Sequence, residues 1–279
     1  MLNRLSLKKK VTIEGTNFWG RPSRISFEPT SRLGWWWRTG GNEIGITAKI
    51  MDCRKRRLAL ADPYDLERSD RLEVVEHVTA LMATGLDGIV IESDEWPPYE
   101  GCAGQYLDAL LPHLTESDHE PLRFVHPFGN ETVRVSRNRD RFVQLHGGDA
   151  NPSRLVIRVR VSFKGVGEHV ERFTLDGSAS SMEHLYQILR TNTFGWPRYA
   201  KYALVLTNAF YRGPRMRDIV WSQDMEPEQA LRSAALHRIQ DILGVVMTAR
   251  FRSGEVVSGT YESNMGGHLL DLNLVRQIA

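Results

Sequence analysis

The residues His237 and Asp241 are four positions apart in a segment whose apolar residues recur with a helical period. On a helix this spacing places both side chains on one face, about one turn apart, where they can bind the same metal ion. The small residues Ala230 and Ala234 lie on that face and would leave room above the pair for a substrate. Taken alone, the spacing is more often that of a polar pair on a helix surface.

The adjacent residues Glu76 and His77 interrupt an apolar segment between Val75 and Val78. A carboxylate and an imidazole that are buried without partners cost several kcal/mol, and metal coordination or a second polar partner removes that cost. The pair therefore indicates a site, unless it faces solvent.

A ligand set emerges when the two segments are combined. His77, His237 and Asp241 supply two imidazoles and one carboxylate, a set that leaves a fourth position on zinc for water. Glu76, next to the first histidine, would then be free to take the proton of that water. His268 follows two glycines and is of the right type to donate a proton to a leaving amine, although a lone histidine there is more often structural.

These residues require helices and strands that bring them together. We expect helices at 70–85, 105–114, 226–246 and 269–278, because apolar residues recur there every three to four positions. Asp70 can cap the first helix, and Pro227 suits the start of the third. Short strands precede and follow them, and the alternation of apolar residues with arginine in 155–163 predicts a sheet with one solvated face.

The order of these elements predicts an α+β fold in two parts. We place the boundary in the polar stretch around 115–121. Residues 1–118 would form an N-terminal α+β domain that carries Glu76 and His77. Residues 119–279 would form a C-terminal α+β domain that carries Thr193, His237, Asp241 and His268.

The composition excludes several classes of protein. The chain has 279 residues, of which 41% are hydrophobic and 25% charged, as in soluble globular proteins. Its 36 Lys and Arg against 34 Asp and Glu leave a net charge of +2, so we expect no nucleic-acid partner. We expect no integral membrane segment and no secretory signal. The two cysteines, Cys53 and Cys102, are typical of a reduced cytoplasmic protein.

Several motifs in the first half resemble one enzyme family. Residues 74–92, V-V-E-H-V-T-A-L-M-A-T-G-L-D-G-I-V-I-E, are similar to T-V-E-H-L-x-A-A-L and the following glycine turn and strand of UDP-3-O-acyl-N-acetylglucosamine deacetylases. These enzymes commit sugar nucleotides to lipid A synthesis. Residues 34–39 resemble the family's early G-I-x-F-x-R-T strand, and residues 99–103, Y-E-G-C-A, its D-G-S-A element.

The second half continues the resemblance in the same order. Residues 193–195 match the family's T-F-G, residues 236–244 resemble its R-H-K-I-L-D-A-I-G, and Gly267-His268 matches its S-G-H. Carried over position by position, the resemblance implies the following roles. The zinc ligands are His77, His237 and Asp241, the general base is Glu76, the acid or electrostatic partner is His268, and the donor to the oxyanion is Thr193.

The same resemblance implies substrate contacts and shows where this chain departs from the family. Phe194, Arg238 and Trp19 are the implied substrate-binding residues. Arg238 replaces the family's lysine, so a planar guanidinium group with several N–H donors takes the place of a compact ammonium group. Trp19 occupies the place of an active-site histidine, and Val245 that of an aspartate that supports the catalytic histidine. Without that aspartate, we expect His268 to hold its proton less well.

The resemblance also implies a fold and a reaction. The fold would consist of two similar α+β domains whose helices pack between two outer sheets, with the site at their junction. The reaction would be zinc-dependent hydrolysis of the N-acetyl amide of a UDP-linked or other acylated amino-sugar by a monomer. One alternative is a paralogue that deacylates a different N-acyl substrate. Another is a metal-binding protein without turnover, although a structural zinc would need neither Glu76 nor His268.

Overall fold

The computed structural model of the chain describes residues 1–54, 57–63, 71–147, 153–195, 219–221, 225–249 and 254–279. Within them the α-helices are α1 (Val75–Thr79), α2 (Gly104–Leu110), α3 (Ala179–Leu189), α4 (Pro227–Val246) and α5 (His268–Ile278). The strands of the first half are β1 (Leu5–Leu7), β2 (Val11–Thr16), β3 (Pro22–Pro29), β4 (Trp35–Thr39), β5 (Asn42–Gly45), β6 (Met51–Arg54), β7 (Arg57–Ala61), β8 (Arg71–Glu73), β9 (Ile89–Ser93) and β10 (Leu114–Glu116). Those of the second half are β11 (Arg123–Val125), β12 (Thr132–Asn138), β13 (Arg141–His146), β14 (Leu155–Phe163), β15 (Gly167–Leu175), β16 (Thr193–Gly195), β17 (Ile219–Trp221), β18 (Glu255–Val257) and β19 (Gly259–Asn264).

Two five-stranded sheets dominate the fold. The first has the order β2-β3-β9-β4-β5, and its β4 and β9 pair in parallel. The second has the order β12-β13-β19-β14-β15, and its β14 and β19 pair in parallel. The other pairs in both sheets are antiparallel. Mixed sheets with few helices confirm the predicted α+β class.

The second sheet has one solvated face, as the sequence pattern predicts. Arg158 and Arg160 in β14 are exposed, whereas Ile157 and Val159 are fully buried. The buried side contacts α4, which packs against β14 and β15. The helix that carries His237 and Asp241 therefore packs against this sheet.

The predicted helix at 70–85 is wrong in its first part. Residues 71–73 form β8, which pairs with β7, and Val74 then adopts a left-handed conformation with φ of 55°. The helix α1 covers five residues and is followed by a 3-10 segment, Ala80–Thr84, that ends at Gly85. The whole segment is buried, so its apolar residues do not mark a single helical face. The proposed cap, Asp70, lies outside the described residues.

The helix predicted at 105–114 ends earlier than expected. It runs as α2 to Leu110, and a 3-10 segment at 111–113 leads into β10. Pro112 explains the break, because it has no backbone N–H for an α-helical hydrogen bond. The helices predicted at 226–246 and 269–278 are confirmed as α4 and α5.

The helix α3 was not predicted from the sequence. It begins after Ser178, whose hydroxyl accepts a hydrogen bond from the backbone N–H of Ser181. This is the usual way in which serine caps a helix. Across the described ranges, no helix combines the length and the apolar character that crossing a bilayer requires.

Candidate metal centre

Three side chains from two helices converge on one point. His77 comes from α1, and His237 and Asp241 come from α4, one turn apart. The Nε2 atom of His77 lies 3.7 Å from Oδ1 of Asp241, and Nε2 of His237 lies 3.6 Å from the same oxygen. One ligand atom of each residue lies within 4.8 Å of the others. The two imidazole rings are nearly perpendicular, with centroids 5.2 Å apart.

The arrangement fits a divalent cation. Ligands at zinc bond lengths in a tetrahedron are about 3.4 Å apart, close to the separations of both imidazole nitrogens from Oδ1 of Asp241. That oxygen is buried and has no hydrogen-bond partner among the described residues. A buried anionic oxygen without a donor is costly, and a cation between the three groups would satisfy it. The donor set of two imidazoles and a carboxylate suits zinc.

The orientations of the two histidines have separate causes. Nδ1 of His237 lies 2.9 Å from the carbonyl oxygen of Thr191, so Nδ1 carries the proton and Nε2 is left with its lone pair facing the cluster. The ring of His77 stacks on the ring of Tyr99, with centroids 5.5 Å apart and an angle of 15°. Both rings are thus held by neighbours outside the ligand set.

The close approach of α1 and α4 depends on Gly244. A Cβ atom at this position would lie 2.1 Å from the backbone oxygen of Glu76 and 2.9 Å from its Cα. The hydroxyl of Thr79 donates to the carbonyl oxygen of Gly244 at 2.6 Å and so fastens the two helices at the same point. The spacing of His77 from His237 and Asp241 is therefore set by backbone packing.

Glu76 and His268 lie beside the three candidate ligands. The backbone N–H of Leu58 donates to Oε2 of Glu76 at 3.1 Å. The other oxygen, Oε1, lies 3.9 Å from Nε2 of His268, which is the first residue of α5. The same nitrogen is 3.7 Å from Oδ2 of Asp241. The structure thus brings together the five residues proposed to carry the metal and the proton transfers.

Burial changes the pKa values in this cluster. It raises the pKa of Glu76 to about 8, with a further contribution from the charge of Asp241. It lowers the pKa of His77 to about 4 and also lowers that of His268, against the charges of Asp241 and Asp271. Burial also opposes ionisation of Asp241, but the charges of His237 and His268 outweigh it and hold this pKa well below its usual range. The metal-free site therefore favours a neutral His77 and an ionised Asp241, the forms that bind metal.

Thr193 is connected to the ligands through Tyr99. Its hydroxyl donates to the carbonyl oxygen of Gly101 at 2.9 Å and forms a short hydrogen bond with the hydroxyl of Tyr99. Tyr99 is buried and stacks on His77. Sequence reasoning assigned no role to Tyr99, although it belongs to the 99–103 motif.

The proposed substrate residues lie in different surroundings. Arg238 lines a cavity of about 230 Å³ together with His237, Asp241, Ala234, Phe163 and Met265. Trp19 packs against Phe18 and Trp96, with ring centroids 5.1 and 5.3 Å away, and Phe18 in turn contacts Tyr99. Trp19 is thus linked to the site through two further rings. The backbone of Phe194 is in β16, and its side chain lies outside the described part.

The position of the missing carboxylate is filled by apolar packing, and another carboxylate lies nearby. Val245 is fully buried. Asp271 in α5 is also fully buried, and its charge favours the protonated form of His268. Without a carboxylate at position 245, His268 is expected to hold its proton less well, and the charge of Asp271 offsets part of that effect. Sequence reasoning did not consider Asp271.

Comparison with known proteins agrees with this geometry. The family model for UDP-3-O-acyl N-acetylglycosamine deacetylase matches residues 4–279. The chain is 26% identical over 215 residues to the UDP-3-O-acyl-N-acetylglucosamine deacetylase of Xanthomonas oryzae pv. oryzae, covering 75% of this chain and 67% of the relative. The chain is also 26% identical over 215 residues to the protein of the same name from Stenotrophomonas maltophilia, and this match again covers 75% of this chain and 67% of the relative.

Proposed function

The chain belongs to the UDP-3-O-acyl N-acetylglycosamine deacetylase family, and on that premise we propose that it is a zinc-dependent deacetylase of lipid A biosynthesis. Its substrate would be a UDP-3-O-acyl-N-acetylglucosamine or a close analogue, whose N-acetyl amide it hydrolyses. The observation that carries the proposal is the convergence of His77, His237 and Asp241 beside a cavity, with Glu76 and His268 next to them.

The residues divide the reaction between them. A zinc ion bound by His77, His237 and Asp241 would supply Lewis acidity, which polarises the amide carbonyl and lowers the pKa of water. Glu76 would accept the proton of the attacking water, because its Oε1 is directed toward the cluster while Oε2 is held by a backbone N–H. A cation beside Glu76 favours the ionised form that a base requires.

The second half of the reaction needs an acid. His268 would protonate the nitrogen of the leaving amino-sugar, since its Nε2 lies within 4 Å of carboxylate oxygens of both Glu76 and Asp241. Thr193, with Tyr99 behind it, is proposed to stabilise the oxyanion. Arg238, Phe194 and Trp19 are proposed to contact the substrate.

The chain is proposed to divide into two domains. We propose two domains, 1–118 and 119–279, with helices packed between two outer sheets. The strands of each five-stranded sheet come from one half of the chain, which supports this division. Contacts of α1 with α4, and of α4 with β14 and β15, support a helical layer.

We also propose that the protein is a monomer and that it is located in the cytoplasm. Free thiols such as Cys53 and Cys102 persist in that compartment.

The test is acetate release by the zinc-loaded protein. We expect acetate from UDP-3-O-acyl-N-acetylglucosamine in a coupled assay, and loss of turnover in Glu76→Gln with zinc content unchanged. His268→Ala is expected to retain zinc as well but to lose most turnover. Full zinc occupancy without acetate release from any N-acetylated sugar would refute the enzymatic proposal and leave a metal-binding protein.

A second candidate function is deacylation of a different N-acyl substrate. The rings of Phe18, Trp19, Trp96 and Tyr99 form one group next to His77, so aromatic surface lies close to the site. A panel of UDP-sugars with different acyl groups separates the two functions. Faster turnover of another amide than of the N-acetyl substrate would favour the second.

A further inference from the structure

Arg238 has a buried partner that fixes its guanidinium group. Nη2 of Arg238 donates to Oδ2 of Asp271 in a short hydrogen bond, and the hydroxyl of Tyr261 donates to Oδ1 of the same carboxylate at 2.8 Å. Asp271 and Tyr261 are both 0% exposed. Both oxygens of the carboxylate are thus occupied, one by a cation and one by a neutral donor.

The three residues come from three different elements. Arg238 follows His237 in α4, Tyr261 lies in the central strand β19 of the second sheet, and Asp271 lies in the first turn of α5. A carboxylate in the first turn of a helix is favoured by the helix dipole. The network therefore joins the helix of two metal ligands to the helix that begins with His268.

A glycine allows this contact. A Cβ atom at Gly266 would lie 2.6 Å from Oγ of Ser263 and 3.3 Å from Nη2 of Arg238. The segment before His268 therefore packs closely against the guanidinium group. Because the space is filled on this side, the ion pair has little freedom to rearrange.

Two donor nitrogens of Arg238 are unsatisfied in the described part of the chain. Its Nε and Nη1 atoms are buried and have no hydrogen-bond partner among the described residues. Arg238 lines the same cavity as the metal ligands His237 and Asp241. A buried guanidinium with unsatisfied N–H groups beside a cavity is suited to an acceptor oxygen of a ligand, and best to an anionic one.

From this geometry we propose that Asp271 and Tyr261 are positioning residues, which hold Arg238 so that its free N–H groups bind an anionic oxygen of the substrate. The inference rests on the proposed function for the identity of that substrate, whose phosphates supply such oxygens. Asp271 does not touch the substrate and acts through the orientation of Arg238.

The experiment compares Asp271→Asn, Tyr261→Phe and the wild type, all loaded with zinc. Asparagine has the same shape but removes the charge that holds Arg238, so we expect KM for the UDP-sugar substrate to rise about 10-fold. Because that charge also favours the protonated form of His268, kcat is expected to fall as well. Tyr261→Phe leaves the ion pair and the charge of Asp271, so it is expected to raise KM about 3-fold with kcat changed by less than about 3-fold. Asp108→Asn is the matched control, because it removes an exposed partner of Arg190 and should leave KM unchanged.

Crystal structures of the wild type and of Asp271→Asn provide a readout that needs no turnover. We expect the guanidinium of Arg238 to move away from the cavity while the three metal ligands stay in place. An unmoved Arg238 would overturn the proposal, and so would a moved Arg238 with an unchanged KM. If the wild type releases no acetate, the proposed function fails, and the position of Arg238 in the two structures still decides whether Asp271 orients it.

Discussion

Replacing Gly244 by alanine tests whether backbone packing between α1 and α4 sets the metal site. The new methyl carbon would lie 2.1 Å from the carbonyl oxygen of Glu76 and 2.8 Å from its carbonyl carbon. These are backbone atoms, which a rotamer change cannot move. One of the two helices must therefore shift.

Two opposing effects decide the outcome. Alanine is favoured over glycine inside a helix by about 1 kcal/mol, which would stabilise α4. The closest carbon–oxygen contacts are about 3.3 Å, so α1 must retreat by about 1.2 Å, and overpacking of this kind costs about 1–3 kcal/mol. Steric overlap is therefore expected to win, and the free energy of unfolding should fall.

The shift has a larger effect on the metal site than on stability. Metal–ligand distances tolerate deviations of only about 0.2 Å, so His77 would leave coordination range while His237 and Asp241 remained. We expect zinc affinity to fall by at least about 100-fold, the upper end of what loss of a supporting partner costs. Competition with a chelator measures the affinity, and zinc content after dialysis checks it.

Ile239→Val is the matched control for this experiment. Ile239 is fully buried on the same helix, and the substitution costs about 0.5–1.5 kcal/mol without adding atoms near α1. It should lower the melting temperature and keep wild-type zinc affinity. Wild-type zinc affinity in Gly244→Ala would refute the reasoning, because the site would then tolerate a displaced α1.

Three further predictions concern the neighbours of the ligands and the metal itself. In the metal-free protein burial raises the pKa of Glu76 to about 8, above its unfolded value, so its contribution to stability is complete in acid and is lost as pH rises toward 8. Thermal unfolding from pH 5 to 8 should show this loss, and Glu76→Gln should flatten it; an unchanged slope would contradict the assignment. Tyr99→Phe keeps the ring on His77 but removes the bond to Thr193, and we expect kcat to fall about 10-fold with full zinc content. Chelation should lower the melting temperature, and added zinc should restore it. At a zinc concentration of about a thousand times Kd, binding should add about 4 kcal/mol to the free energy of unfolding. Equal melting temperatures with and without chelator would exclude a bound metal in the native state.

Some features of the site could be predicted from local sequence. The pair His237 and Asp241 lies on one helix, and four-residue spacing places them on the same face wherever the helix packs. The polar pair Glu76 and His77 indicated a buried site because charged groups are rare in apolar segments. The alternation in β14 predicted the solvated face of its sheet correctly, since strand periodicity is local.

Other features depended on contacts that a local pattern does not encode. The segment 71–84 is buried on all sides, so its apolar period did not distinguish β8 and a five-residue α1 from one long helix. Asp271 and Tyr99 contact Arg238 and Thr193, which lie in other elements. Neither the residue type nor the spacing of Asp271 and Tyr99 predicts those contacts.

The sequence by itself determined the chemical types of the site and the relative placement of residues within one helix, because covalent geometry and helical period suffice for both. Tertiary structure alone decided that α1 approaches α4 closely enough for His77 to join His237 and Asp241. That approach depends on the missing side chain of Gly244 meeting the backbone of Glu76, a contact between segments distant in the chain. Only packing of the whole fold brings such segments within contact distance.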